Sequence, residues 1–359
     1  MNPEFWKGRK VFVTGHTGFK GSWLCLWLQR VSAQVTGYSL PPPTNPSLFD
    51  VADTASGMVS IEGDVRDYKS LAEALTACQP EIIFHMAAQS VVRESYEQPV
   101  ATYDTNVMGT VHLMEAVRHL KGRVAVVNIT TDKVYENKEW VWGYRETDRL
   151  GGHDPYSNSK ACSELVTQSF KDSFFDTITD EANQKFIATA RAGNVIGGGD
   201  WTRDQLIPDV MNAFHEGREV VLRNPQAVRP WQFVLDCLGG YMTLAEKLLL
   251  DGKCYDGNWN FGPRLEDTLP VQQIVERIID KWPGKASWRL DTGNHPHEAG
   301  YLRLDTSKTV MQLNWKPRLA LTESLDWIVD WYSQYFNYAD PKALCAEQIE
   351  RFEDKIIHG

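Results

Sequence analysis

Tyr156 and Lys160 stand four residues apart in a segment that reads as a helix opening, Asp154-Pro155-Tyr156-Ser157-Asn158-Ser159-Lys160. On a helix that spacing puts both side chains on one face, one turn apart. An ammonium beside a phenol favours the phenolate and lowers its pKa from the reference of about 10. A phenol tuned this way can take a proton from a sugar hydroxyl. The spacing alone is weak, because it recurs at Tyr338 and Lys342, where Pro341 would disrupt a helix interior. The first pair is distinguished by Thr131, Asp132 and Lys133, which end a Val- and Ile-rich run beginning at Val124. A run of that kind without alternation suits a parallel strand covered on both faces, and the carboxyl edge of such a sheet is where ligands bind.

The elements that position these groups can be followed from the start of the chain. A short strand at 10–15 runs into the glycine-rich turn Gly15, Gly18 and Gly21, followed by a helix with Phe19, Trp23, Trp27 and Val31 on one apolar stripe. A turn of this kind between strand and helix lets backbone N–H groups approach a pyrophosphate. After the second strand, 34–38, a dinucleotide fold often carries an acidic residue for the ribose. Here Ser39 and Leu40 lead into three prolines, with no Arg or Lys for a 2′-phosphate, so NAD is not separated from NADP at this turn. Asp64 follows strand three, as an adenine acceptor or as a turn residue. Strand four, 81–85, leads to the small Ala87 and Ala88, which permit close packing against a cofactor. His85 reads as a satisfied core histidine. A helical segment from Pro99 to Leu120 and a further strand, 185–192, extend the alternation, which calls for a doubly wound parallel sheet.

Beyond residue 193 the alternation loosens. The stretch 231–235 with the apolar helix after it reads as a return to the sheet, and 259–262 as a strand-to-loop junction. The expected architecture is α/β: a Rossmann-type NAD-binding domain from 1–192 and 229–263, interleaved with a smaller, largely C-terminal substrate domain from 193–228 and 264–359. No repeats, low-complexity tracts or long linkers interrupt it.

Composition bounds the function. The 359 residues carry a formal net charge of −10, which argues against a nucleic-acid surface but allows an anionic small substrate if cations are placed locally. The six cysteines make no Cys-x-x-Cys pair and no metal spacing, so no metal is expected and they read as small buried hydrophobes of a reducing compartment. With no apolar signal core and no 18-residue apolar run, a cytoplasmic protein without a membrane span is expected.

The stretches 14–21, 63–65, 85–88, 106–110, 130–135 and Tyr156-x-x-x-Lys160 resemble the extended short-chain dehydrogenase/reductases. Within these, 37–49, 136–144 and 295–299 are similar to nucleotide-sugar 4,6-dehydratases acting on a CDP-sugar. The resemblance spans nearly the whole chain. It implies NAD held by Gly15, Thr17, Gly18, Phe19, Gly21, Asp64, Val65, Ala87, Ala88, Tyr156 and Lys160. It implies CDP-D-glucose as substrate and CDP-4-keto-6-deoxy-D-glucose as product, in a route to the deoxy sugars of bacterial O-antigen. It also implies a homodimer through the helices near 99–120 and 156–175.

In the implied reaction Tyr156 takes the C4 hydroxyl proton, Thr131 holds that hydroxyl, and hydride passes to NAD. Water then leaves across C5 and C6, and hydride returns to C6. Asp132 would protonate the leaving hydroxyl if its environment keeps it protonated. In dTDP-glucose relatives the next residue is a Glu base. Here it is Lys133, which must be uncharged to act as a base and otherwise stabilises the enolate. Gln89 and Ser90, at the nicotinamide edge, and Asn194 are expected at the sugar. Arg229, joined by Asn260, is expected at the diphosphate, and Asn260 has a loop-capping role as its alternative. The rival readings are a 4-epimerase, a dehydratase for another nucleotide sugar, and a non-catalytic NAD-binding regulator. Asp132 speaks against the first, and the presence of Thr131, Tyr156 and Lys160 against the last.

Overall fold

The computed structural model describes residues 2–293 and 300–358; the stretch 295–299, which bears part of the family resemblance, lies outside them. Seven parallel strands form the main sheet: β1 (Lys10–Thr14), β2 (Gln34–Ser39), β3 (Val59–Glu62), β4 (Ile82–His85), β5 (Val124–Ile129), β6 (Lys185–Ala192) and, later in the chain, β10 (Gly257–Phe261). Their order is β10-β6-β5-β4-β1-β2-β3, so the winding reverses between β1 and β4. That switch opens a crevice at the carboxyl ends. All six positions of β5 and all eight of β6 are buried, as their near-continuous apolar runs require.

Four further strands lie outside this sheet: β7 (Asn194–Ile196), β8 (Val220–Leu222), β11 (Thr268–Pro270) and β12 (Trp288–Leu290). With them goes β9 (Val228–Phe233), and here the sequence reading is corrected. Residues 231–235 do not return to the main sheet: β9 pairs with β7 and β11 in a small sheet of its own. The following helix, Val234–Asp251, packs over β5 and β6, and β10 then rejoins the main sheet beside β6. The apolar run was read correctly as a strand. Its partner was not, because a buried strand's composition does not name the sheet that receives it.

The aromatic stripe of the first long helix holds: Trp23 and Trp27 are fully buried. The long helical segment is interrupted, however, by a π-helical turn at Asp104–Met108. The cysteines divide. Cys25, Cys237 and Cys345 are buried as expected, Cys78 and Cys162 are partly buried, and Cys254 is exposed. Tyr338 is nearly fully exposed and Pro341 opens the last helix, so the second Tyr/Lys pair is indeed a coincidence of spacing. Among the described residues no helix is long and apolar enough to cross a membrane.

Candidate active site

The end of β5 and the start of helix Pro155–Phe170 meet at the sheet's carboxyl edge. Asp154 caps that helix, its carboxylate accepting from the Ser157 backbone N–H at 2.9 Å and hydroxyl at 2.6 Å, with Pro155 at the first helical position. One turn of 3₁₀-helix, Asp132–Val134, follows β5. Thr131, Asp132, Tyr156 and Lys160 are all buried and Lys133 is half-buried. The Thr131 hydroxyl donates to Asp132 Oδ1 at 3.1 Å.

Burial raises the Asp132 carboxyl above the usual range, against the pull of Lys133, Thr131 and Arg229. Its Oδ2 is buried without a hydrogen-bond partner. Asp132 is therefore biased toward the protonated form that acid catalysis needs. Gly193 stands against it: a Cβ there would meet Pro230 Cγ at 2.5 Å and Asp132 Oδ2 at 3.2 Å, so the position has no room for a larger residue.

The expected lowering of Tyr156 is not found. Burial pushes its phenol up, Thr131 opposes this, and Asp132 and Asp154 add to the rise. The physical reason is depth. Lys160 is itself buried and lowered to about 7, with Lys20 adding to the drop and Glu164 opposing it, so near neutrality it is not a full positive charge. His85 is the core histidine expected, with Nδ1 2.8 Å from the Thr14 hydroxyl and a pKa lowered by burial to about 3.

A cavity of about 530 Å³ opens beside these groups, with Lys133, Tyr135, Asn194 and Arg229 on its wall. Arg93, Arg223 and Lys138 also line it, together with the carboxylates Glu139, Asp154, Asp204 and Asp209, and Asp204 pairs with both Arg93 and Arg223. The lining is mixed in charge, and the guanidinium of Arg229 is the group among them expected at a diphosphate. Asn194 and Arg229, expected at the substrate, both line this cavity. Ser90 is exposed at the edge after β4.

Two other substrate expectations are corrected. Asn260 is fully buried: its Oδ1 accepts from the Tyr135 hydroxyl at 2.7 Å, and its Nδ2 donates to the carbonyls of Tyr144 at 2.8 Å and Asp305 at 3.0 Å. All its polar capacity ties loops together, and the loop-capping alternative holds. Gln89 behaves likewise, its Oε1 accepting from the Val91 N–H at 2.6 Å while its Nε2 donates to the Val91 carbonyl and the Thr102 hydroxyl.

At the other side of the switch point the glycine-rich turn has the form of a cofactor cradle. Gly15 has φ +74°, and a Cβ there would lie 2.7 Å from Ala87 N; a Cβ on Gly21 would lie 2.2 Å from the Gly15 carbonyl oxygen. Gly18 caps the helix without any side chain over its N–H groups. The turn is packed to backbone distance: the Gly15 and Gly18 N–H groups donate to the Tyr38 and Gly15 carbonyls, and the first N–H groups of the helix after them are those that can face a ligand. Phe19 packs near Gly197, while Ala88 is partly buried after β4. The Thr17 hydroxyl donates to the Leu40 carbonyl at 2.9 Å, which anchors the turn to the end of β2. Asp64 is forked onto Arg66, at 2.9 Å from Nε to Oδ2, and Val65 is buried with its carbonyl 2.9 Å from His112 Nδ1.

Sequence reasoning missed three groups. Asn106, in the π-helical turn, bonds the Ser159 hydroxyl at 2.8 Å and both backbone groups of Gln89, clamping the post-β4 loop to the helix of Tyr156. Arg191 and Glu164 form a buried ion pair beneath Lys160. The signal was present: an arginine inside the apolar run 185–192 must be paired, and Glu164 lies one helical turn beyond Lys160.

The fold and this site place the chain among the nucleotide-sugar dehydratases, and it belongs to the family whose model is described as GDP-mannose 4,6 dehydratase, which matches residues 12–327. Within that class it is 53% identical, over 95% of each chain, to CDP-glucose 4,6-dehydratase of Salmonella typhimurium. To dTDP-glucose 4,6-dehydratase 1 of Escherichia coli it is 25% identical, over 92% of this chain and 94% of the other. Among solved structures, dTDP-glucose 4,6-dehydratase from Bacillus anthracis in complex with NAD superposes with TM-score 0.74 at 20% identity, over 93% of this chain and all of the other. UDP-glucuronic acid 4-epimerase from Bacillus cereus, in complex with UDP-glucuronic acid and NAD, gives 0.77 at 21%, over 90% and 99%.

Proposed function

We propose that the chain converts CDP-D-glucose to CDP-4-keto-6-deoxy-D-glucose with NAD at the glycine-rich turn. The 53% identity to a CDP-glucose 4,6-dehydratase across 95% of both chains supports the substrate. The observation that carries the reaction type is Asp132: a buried carboxyl, raised by its surroundings, with one oxygen unpartnered. An epimerase eliminates no water and has no need of such an acid.

NAD held by the Gly15–Gly21 turn supplies the hydride acceptor for C4 and the hydride donor for C6. The chain's own groups do the rest. Tyr156, in its phenolate form, receives the C4 hydroxyl proton, and Thr131 orients that hydroxyl. The new ketone acidifies C5–H, and Asp132 protonates the C6 oxygen as water leaves. Lys133 takes the C5 proton or stabilises the enolate. Arg229 holds the diphosphate, with Asn194 and Ser90 at the sugar. The division of labour, with the nucleotide fold in one unit and the small sheet carrying Asn194 and Arg229 in the other, is part of the same proposal. So is a homodimer through the helices near 99–120 and 156–175, whose surfaces expose Val100, Met108 and Leu165. A cytoplasmic setting and a place in deoxy-sugar formation complete it.

Mass spectrometry of the protein incubated with NAD and, separately, with CDP-glucose, dTDP-glucose, UDP-glucose and GDP-mannose tests the reading. Loss of one water from CDP-glucose alone, without accumulating NADH, is the expected result. Unchanged mass with all four overturns it. Lys133→Met separates the two roles of that lysine. If exchange of the C5 hydrogen with solvent deuterium falls by about 10²-fold or more and is restored in Lys133→Glu, which supplies a base without the positive charge, the amine is the base. Exchange that persists leaves it the electrostatic role.

A further inference from the structure

The cavity beside the reacting groups has two kinds of wall. Lys133, Asn194 and Arg229 bring it the polar groups of the proposed reaction. Another stretch is apolar: Leu206 of the helix Leu206–His215, Val220 and Leu222 of β8, and Ala227 with Val271. The helix packs on β8, and the Val271 N–H donates to the Ala227 carbonyl at 3.0 Å. A stretch of this kind suits the faces of a flat ring and gives nothing to a phosphate or a sugar hydroxyl. β8 adds a second feature. Among the described strands it is bonded on one side only, to β12, and all three of its residues line the cavity. An open strand edge offers donors and acceptors alike, so it can hold a pyrimidine without telling one pyrimidine from another.

Asp209 stands on this same wall. It follows Leu206 by three residues on the helix, which puts the two on one face, and both line the cavity. The other carboxylates of the cavity are already in use. Asp154 caps the helix Pro155–Phe170, Asp204 pairs with Arg93 and Arg223, and Glu139 accepts from the Gly300 N–H. Among the described residues the side chain of Asp209 makes no hydrogen bond and no ion pair. An unpaired carboxylate opposes a diphosphate in the same cavity unless the ligand brings it a donor. Hydroxyls are common to all nucleotide sugars, and the apolar neighbours of Asp209 do not favour them. The remaining donor of a CDP-sugar is the exocyclic N4 amine of the base.

We propose that Asp209 reads the base: its carboxylate accepts an N4–H of cytosine and so selects cytidine over uridine and thymidine nucleotides. A carboxylate is an acceptor only. Cytosine presents a donor at position 4, whereas uracil and thymine present the O4 acceptor there. The same group thus attracts the right base and repels the wrong ones, which is how a difference of affinities is made large. The proposal rests on the CDP-sugar reading of the site and names the residue that enforces it.

The test is calorimetric titration of the NAD-loaded full chain with CDP and, separately, with UDP, in the wild type and in Asp209→Ala and Asp209→Asn. Removing a carboxylate should raise the affinity for both anionic nucleotides alike, so the ratio of the two dissociation constants is the readout. In the wild type CDP is expected to bind more tightly. In Asp209→Ala the preference should fall by about 10-fold or more, the scale of one base-edge contact. In Asp209→Asn it should fall as well, with UDP gaining most, because the amide N–H can donate to O4. The ratio of kcat/KM for CDP-glucose over UDP-glucose should follow the binding ratio in each variant. A CDP preference unchanged in both variants, or a wild type that binds the two nucleotides equally, overturns the assignment. A wild type that prefers CDP but dehydrates no nucleotide sugar overturns the dehydratase reading instead, and the binding ratios then still decide the role of Asp209.

Discussion

Asp132→Asn is expected to stop dehydration while leaving oxidation at C4 in place. The amide is nearly isosteric, and it can still accept the hydroxyl of Thr131 that now lies 3.1 Å from Oδ1. It cannot deliver an acidic proton to a leaving hydroxyl. Loss of a positioned general acid costs about 10²–10⁴-fold, so water loss from CDP-glucose should fall by that factor. The reduced nicotinamide absorbance that is transient in the wild type should then persist, because the C6 acceptor never forms. Solvent deuterium should still enter at C5. Normal water loss in a folded Asp132→Asn variant would remove the residue from the proposed mechanism. The physical basis is the buried, unpartnered oxygen: its surroundings favour the neutral carboxyl, which is the proton-donating form.

Tyr156→Phe is expected to block the step before. With the phenol gone, nothing in its place takes the C4 hydroxyl proton, and no reduced nicotinamide should appear when substrate is added. Turnover should drop by about 10²–10⁴-fold. The two variants are distinguished in one rapid-mixing experiment, since one traps the reduced cofactor and the other never makes it. Stability should change little. Loss of a single hydroxyl hydrogen bond costs about 0.5–1.5 kcal/mol. A Phe variant that forms reduced nicotinamide at the wild-type rate would assign the base elsewhere.

Much of this was legible before any coordinates. The strands from 10 to 192, the glycine-rich turn and the helix carrying Tyr156 and Lys160 follow from periodicity and from polar groups ending apolar runs. What the sequence left open has a common cause, which is that burial and direction are properties of packing. The spacing of Tyr156 and Lys160 shows that they share a face. It does not show that both sit deep enough for desolvation to outweigh their mutual effect. Asn260 was placed correctly at the end of a strand, but its side chain turns away from the cavity into the loops of Tyr144 and Asp305. The error at 231–235 is of the same kind: an apolar strand is recognisable, its partner is not. Arg191 and Glu164 leave a trace in the sequence, since a charge inside an apolar run must find a buried partner, but the run does not name that partner.

The place of β10 bears on how the molecule is made. This strand lies at the edge of the main sheet, directly beside β6, yet 64 residues separate the end of β6 from its start. Through Asn260 it holds Tyr135, Tyr144 and Asp305 together, and Tyr135 in turn braces Arg191. On the ribosome the strands from β1 to β6 emerge first and can pair, but the clasp around the reacting edge waits for residue 260 and beyond. Pairings over such sequence distances form late and slowly. A nascent chain paused before that point would own the sheet and the glycine-rich turn without a finished catalytic edge, so competence to bind a dinucleotide should precede competence to react during synthesis.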